Sequence, residues 1–125
     1  MTKKYLVEII EFDSLIEELV TLSIQGANIK CFVDYCPSVI DAGKTYEAQF
    51  EMVLPDELEI AKIENNEEAR IEMLDNGFSC DIYGYLADDI FRSIIEFPDQ
   101  DIHFDYPHLN GQFVKITAQR IDVSF

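Results

Sequence analysis

Tryptophan is absent from this chain, and residues that punctuate or cross-link a fold are few: four prolines, five glycines and three cysteines in 125 residues. Without tryptophan there is no Cys…Trp…Cys core, so an immunoglobulin pattern has no support. Cys31, Cys36 and Cys80 are an odd count and too few for a disulfide scaffold, which points to reduced thiols and a cytoplasmic protein. Long apolar runs are missing too. No window approaches the ~20 apolar residues that cross a bilayer. Behind the basic Met1-Thr2-Lys3-Lys4, the stretch from Tyr5 to Phe12 is broken by Glu8 and Glu11, which argues against a secretory signal. No fixed period recurs, so repeat, coiled-coil and collagenous architectures are excluded.

Positive charge is the scarcest commodity. Nine Lys+Arg stand against 25 Asp+Glu, a formal net charge of −16. Such a surface repels phosphates and anionic lipid and attracts basic proteins. The acids run from Glu8 to Asp122 without a long block, and 48% of residues are hydrophobic, so they decorate a folded surface rather than form a disordered tail. The length and the lack of a linker predict one domain over residues 1–125.

What is abundant is alternation. From Thr45 to Leu54, Tyr46, Ala48, Phe50, Met52 and Leu54 alternate with mostly polar partners, the mark of a half-buried strand, which Pro55 ends. Residues 18–35 read as a hairpin turning at Gln25-Gly26-Ala27-Asn28. Ala69, Ile71 and Met73, the turn Asp75-Asn76-Gly77, and the run Phe78, Cys80, Ile82 and Gly84 read as a second one. Gly84 interrupts its apolar face and predicts a bulge or a close crossing of strands. Ile102, Phe104 and Tyr106 predict another strand, and Asp88-Asp89-Ile90-Phe91-Arg92 a single helical turn. Glu64-Asn65-Asn66-Glu67-Glu68 reads as an exposed loop.

After the turn Leu109-Asn110-Gly111-Gln112, the final strand changes phase. Val114, Ile116 and Ala118 are apolar on even numbers, and Ile121, Val123 and Phe125 on odd ones, which requires a bulge near Gln119-Arg120. Strands that bend in this way let small barrels turn corners. The expected fold is therefore all-β, with roughly eight strands and at most one short helix. It is a small antiparallel barrel or barrel-like sandwich, similar in architecture to the Greek-key barrels of the oligonucleotide/oligosaccharide-binding (OB) kind with additional strands.

No catalytic signature emerges. Cys31, Cys36, His103 and His108 have the residue types of a zinc site, but Cys31 and Cys80 alternate with apolar residues and read as buried thiols, and no C-x-x-C knuckle occurs. Asp99, Asp101 and Asp105 lack the loop pattern of a calcium site. Phosphate-loop, nucleophile-elbow and dinucleotide motifs are absent. The composition thus predicts a non-catalytic module without cofactor or metal, docking a basic protein as inhibitors and immunity proteins do. Asp34, Glu47, Glu51, Glu72, Asp81 and Tyr83, on the polar sides of the best strands, are the candidate contacts. The alternative is an OB-type domain for single-stranded nucleic acid or oligosaccharide, with Tyr83, Tyr85 and Phe104 as stacking platforms and Phe32 as a further aromatic. It suffers from basic residues that are scattered singly along the chain.

Overall fold

The computed structural model describes residues 3–64, 68–75, 77–98 and 100–125. The first four strands are β1 (Tyr5–Phe12), β2 (Leu19–Ile24), β3 (Ala27–Tyr35) and β4 (Thr45–Val53). Then come β5 (Glu59–Lys62), β6 (Arg70–Met73), β7 (Cys80–Ala87), β8 (Ile90–Arg92) and β9 (Glu96–Pro98). A one-turn helix α1 (Ile102–Asp105) and a 3-10 turn (Pro107–Leu109) lead to β10 (Phe113–Ala118) and β11 (Arg120–Ser124). The molecule is all-β and barrel-like.

Two sheets share the work. A closed barrel runs β1-β2-β3-β11-β4, and a second sheet runs β5-β10-β7-β8-β9 with β6 paired to β7. Within the barrel, β4-β1-β2-β3 are antiparallel neighbours in that spatial order, the order in which a fourth strand returns beside the first. The last strand closes the gap by pairing parallel to β3 and antiparallel to β4. Everything between β4 and β11 is an excursion that builds the second sheet.

The phase change in the final strand is the joint between the sheets. Val114, Ile116 and Ala118 are buried through β10, and Ile121 and Val123 are buried through β11. Gln119 sits at the corner, its N–H donating to the Val53 carbonyl at 2.8 Å and its carbonyl accepting from the Ser79 hydroxyl at 2.9 Å. The β2–β3 turn needs only Gln25 and Gly26, with φ of 49° and 82°, the left-handed pair that matches the twist of a two-residue hairpin. Gly84 marks a close crossing: a Cβ there would run into the Arg92 carbonyl and stand 2.9 Å from Ser93 Cα. Most of the buried residues of both sheets form one continuous apolar cluster.

Several expectations need correction. Residues 102–105 are helical rather than a strand. Asp101 enters with φ 68°, and only Ile102 of the alternating trio is buried, so the period of two was an accident of a short polar segment. Residues 88–92 form a hairpin, not a helical turn. Asp88 takes φ 55° and its N–H donates to Asn110 Oδ1 at 2.8 Å, which fixes the turn before β8. Strands β1, β5 and β9 were not expected. The turn at Asn76, the loop residues Asn65, Asn66 and Glu67, the terminal Met1 and Thr2, and Asp99 lie outside the described residues.

Candidate protein-binding face

The outward side chains of β3, β11 and β4 form the candidate site. Register sets them: Asp122 of β11 lies opposite Phe32 of β3 on one side and Glu51 of β4 on the other. Because alternate residues point the same way, Asp34, Asp122 and Glu51 face outward while Cys31, Val123, Phe50 and Met52 fill the barrel. An open concavity of about 170 Å³ results, lined by Asp34, Gln49, Phe50, Glu51, Asp122 and Ser124, with Pro98 of β9 as its wall. A second concavity adjoins it through Asp34 and Asp122, and adds Glu18, Phe32, Val33 and Arg120.

Among the described residues lining the two concavities, Arg120 is the basic one. Arg120 Nε stands 2.9 Å from Asp122 Oδ1, and its guanidinium lies 5.0 Å from the Phe32 ring centroid. Glu51 faces Asp122 directly across the ladder, an arrangement of like charges that costs stability. Gln49 and Ser124, themselves cross-strand partners, add hydrogen-bonding groups beside the acids. The face can hold cationic groups and has no nucleophile–base pair.

The six candidate contacts divide between the two sheets. Asp34 and Glu51 line the concavity. Glu47 is exposed on the same face of β4, opposite Leu6 of β1. Glu72 and Asp81 are cross-strand partners in the second sheet, and both are engaged: Glu72 with Arg70 Nε at 2.7 Å, Asp81 with the Thr117 hydroxyl at 2.6 Å. Tyr83 is buried beneath the Arg70 guanidinium, 3.6 Å from its ring centroid. It therefore offers no open ring for stacking, contrary to expectation, because Arg70 is its cross-strand neighbour. Asp122, Glu18, Gln49 and Ser124 were missed. Asp122 carried a signal, since it alternates with Ile121 and Val123, but only the parallel β3–β11 pairing brings it beside Asp34.

The second sheet holds the opposite surprise. Cross-strand register puts Lys115, Tyr83 and Arg70 in one row and Phe113, Tyr85 and Arg92 in the next. Three basic residues scattered in sequence thus gather on one face. Arg70 and Arg92 are matched by Glu72 and Glu96. Tyr85 is 49% exposed and meets Phe113 edge-on at 4.9 Å. Phe104 projects from α1, 71% exposed, against His103, and Phe32 is packed edge-on to Phe78.

The cysteines are dispersed in role. Burial pushes the Cys80 thiol up to about 12 and holds the Cys31 thiol well above its ordinary value. Cys36 donates its thiol proton to the Ser38 carbonyl at 2.8 Å. Among the described residues no three of His, Cys, Asp and Glu are placed to hold a metal ion. No helix among them is long and apolar enough to cross a membrane.

Residues 3–125 match the family described as "Uncharacterised conserved protein UCP019853". The chain belongs to that family. No curated protein and no solved structure matches it.

Proposed function

We propose that this protein is a non-catalytic binding module whose barrel face docks a basic protein, in the manner of an inhibitor or immunity protein that occupies a positively charged cleft. The observation carrying this reading is the concavity in which Asp34, Glu51 and Asp122 converge, with Arg120 the one basic side chain among the described residues lining it and the concavity that adjoins it. Placing Glu51 against Asp122 works against folding, and proteins tolerate such local conflicts where function needs them. Complementary charge accelerates association and makes it salt-sensitive. The β4-β1-β2-β3 order with a closing parallel strand also supports the architectural likeness to OB-type barrels.

The test is affinity capture from host lysate on the immobilised full chain at low salt. A basic protein should be retained, should be released as salt rises, and should be lost by the double variant Asp34→Lys, Glu51→Lys. Retention that ignores both salt and the double variant would overturn the reading.

A second reading is favoured by one observation, the placing of Arg92 opposite the exposed Tyr85 on the second sheet, with Arg70 and Lys115 in the neighbouring row at Tyr83. Stacking on Tyr85 beside those cations would suit a short single strand or an oligosaccharide. Fluorescence titration with short oligonucleotides and oligosaccharides decides it: quenching that Tyr85→Ala abolishes favours this ligand class, and no response removes it.

A further inference from the structure

The pairing directions place three strand ends together. β1 and β3 are both antiparallel to β2, and β11 is parallel to β3. The C-terminal ends of β1, β3 and β11 therefore point to one end of the barrel. The loops 13–18 and 36–44 close that end. They lie beside the same strand, since the Val33 N–H donates to the Glu18 carbonyl at 2.8 Å and the second loop continues from Tyr35.

Both loops present an apolar side chain to solvent from a fixed backbone. In the first, the Leu15 and Ile16 N–H groups both donate to Asp13 Oδ2, at 2.9 and 2.7 Å. The Asp13 N–H donates to the Leu19 carbonyl at 2.9 Å and closes the loop. Ile16 turns half inward, while Leu15 is left 92% exposed. In the second, Gly43 and Lys44 exchange hydrogen bonds with Ile9, and the Asp41 N–H donates to the Tyr46 hydroxyl at 2.8 Å. Ile40 packs on the core, while Val39 is left 86% exposed. Tyr35, also exposed, stands at the strand end between the loops. Neither leucine nor valine is outward because its loop lacks structure; each is held outward beside a neighbour that faces in.

Acids are the sequence neighbours of the side chains on this apolar rim: Asp13, Glu17 and Glu18 flank Leu15, and Asp34 precedes Tyr35, while Lys44 pairs with Asp41 in the second loop. The rim is also continuous with the acidic face, because Glu18 and Asp34 line the concavity that Asp122 shares. We propose that Leu15 and Val39 are the apolar anchors of the interface, and that the partner is a protein whose basic surface surrounds an apolar centre. Rigid anchors already in place lose little freedom on binding, and an apolar centre within a charged rim is how tight interfaces are built. This inference rests on the acidic-face reading above and adds what charge alone does not supply, a term that high salt leaves intact.

Two synthetic probes of equal charge test it: an amphipathic leucine–lysine peptide and an oligolysine, each titrated into the ¹⁵N-labelled full chain at the same ionic strength. The amphipathic peptide should bind about tenfold tighter or more, the effect of burying one or two aliphatic side chains, and should shift amides in 13–18 and 34–41. Leu15→Ser with Val39→Ser should bring the two affinities together, and Asp34→Asn with Glu51→Gln should weaken both peptides alike. Unchanged melting and far-ultraviolet circular dichroism confirm that each variant is folded. Equal affinities in the unmodified protein, or tighter binding that shifts amides elsewhere, overturn the anchors and leave the electrostatic reading standing. If neither peptide binds, both fall.

Discussion

The barrel and the second sheet differ in how their sequence carries their structure. Barrel strands run six to nine residues in β1 to β4, long enough for alternation to declare itself. The second sheet is assembled around β7 and β10 from strands of three or four residues, too short to establish a period. Fifteen of the 25 acids nevertheless fall in that excursion, between Pro55 and Ala118. The acidity is thus greatest where the acids are spread over turns or matched by Arg70, Arg92 and Thr117. The barrel face has fewer acids but concentrates them. Net charge says how negative a protein is; register says where that charge acts.

The comparison is sharpest if the two regions fold as one body. Phe50 is buried in the barrel and Phe91 in the second sheet, within the same apolar cluster. Phe50→Ala and Phe91→Ala should each cost about 3–5 kcal/mol and each leave a single unfolding transition by calorimetry. If Phe91→Ala instead gives two transitions, with the barrel melting at its original temperature, the excursion is an independent body.

The next effect comes from the thiols, one in each region. Cys31 in β3 and Cys80 in β7 are both raised by burial, Cys80 up to about 12. In the unfolded chain they ionise near their ordinary value of 9.0, so below that pH they leave stability unchanged. Above it the unfolded state loses protons that the folded state keeps, and stability falls as pH rises. At about pH 10 the Cys80 thiol should cost on the order of 1 kcal/mol, and Cys31 should act in the same direction. Denaturant unfolding at about pH 8 and about pH 10 should show a smaller alkaline loss in Cys80→Ala than in the unmodified chain. An equal loss would mean that Cys80 is not protected.

Similar in size is the tie between the regions. The Glu96 N–H in β9 donates to the Tyr5 hydroxyl in β1 at 2.8 Å. Tyr5→Phe leaves that donor without its acceptor and should cost about 1–2 kcal/mol in denaturant unfolding. A loss near zero would show that solvent replaces the hydroxyl and that this bond does not hold β9 to the barrel.

These particulars show what could be read in advance. The strand from Thr45, the hairpin over 18–35 and the turn of phase near Gln119 were legible because each depends on neighbours in sequence. The barrel closure was not, because β1 hides behind Glu8 and Glu11 and β11 pairs in parallel with a strand some ninety residues earlier. Asp88 and Asp101 misled for a local reason. Both take positive φ, which aspartate tolerates more readily than most residues, and so the chain turned where a regular element was expected. The candidate site was half legible: Asp34 and Glu51 were marked by alternation, whereas the residue that joins them, Asp122, required knowledge of register.

The smallest expected effect separates most cleanly what the barrel face is for. Glu51 lies opposite Asp122, and Arg120 satisfies only the latter. Glu51→Gln keeps the shape and hydrogen-bonding capacity of the side chain while removing one of the two opposed charges, so it should stabilise the fold by about 0.5 kcal/mol. Glu47→Gln is the control, since Glu47 faces Leu6 rather than another acid, and it should leave stability within error. A face that only keeps the protein soluble would gain stability from Glu51→Gln and lose nothing. A face that docks a basic partner would gain the same stability and lose affinity, with a shallower dependence of binding on salt. Denaturation and binding measured on the same variant must therefore move in opposite directions; if they move together, the opposed acids are not there for a partner.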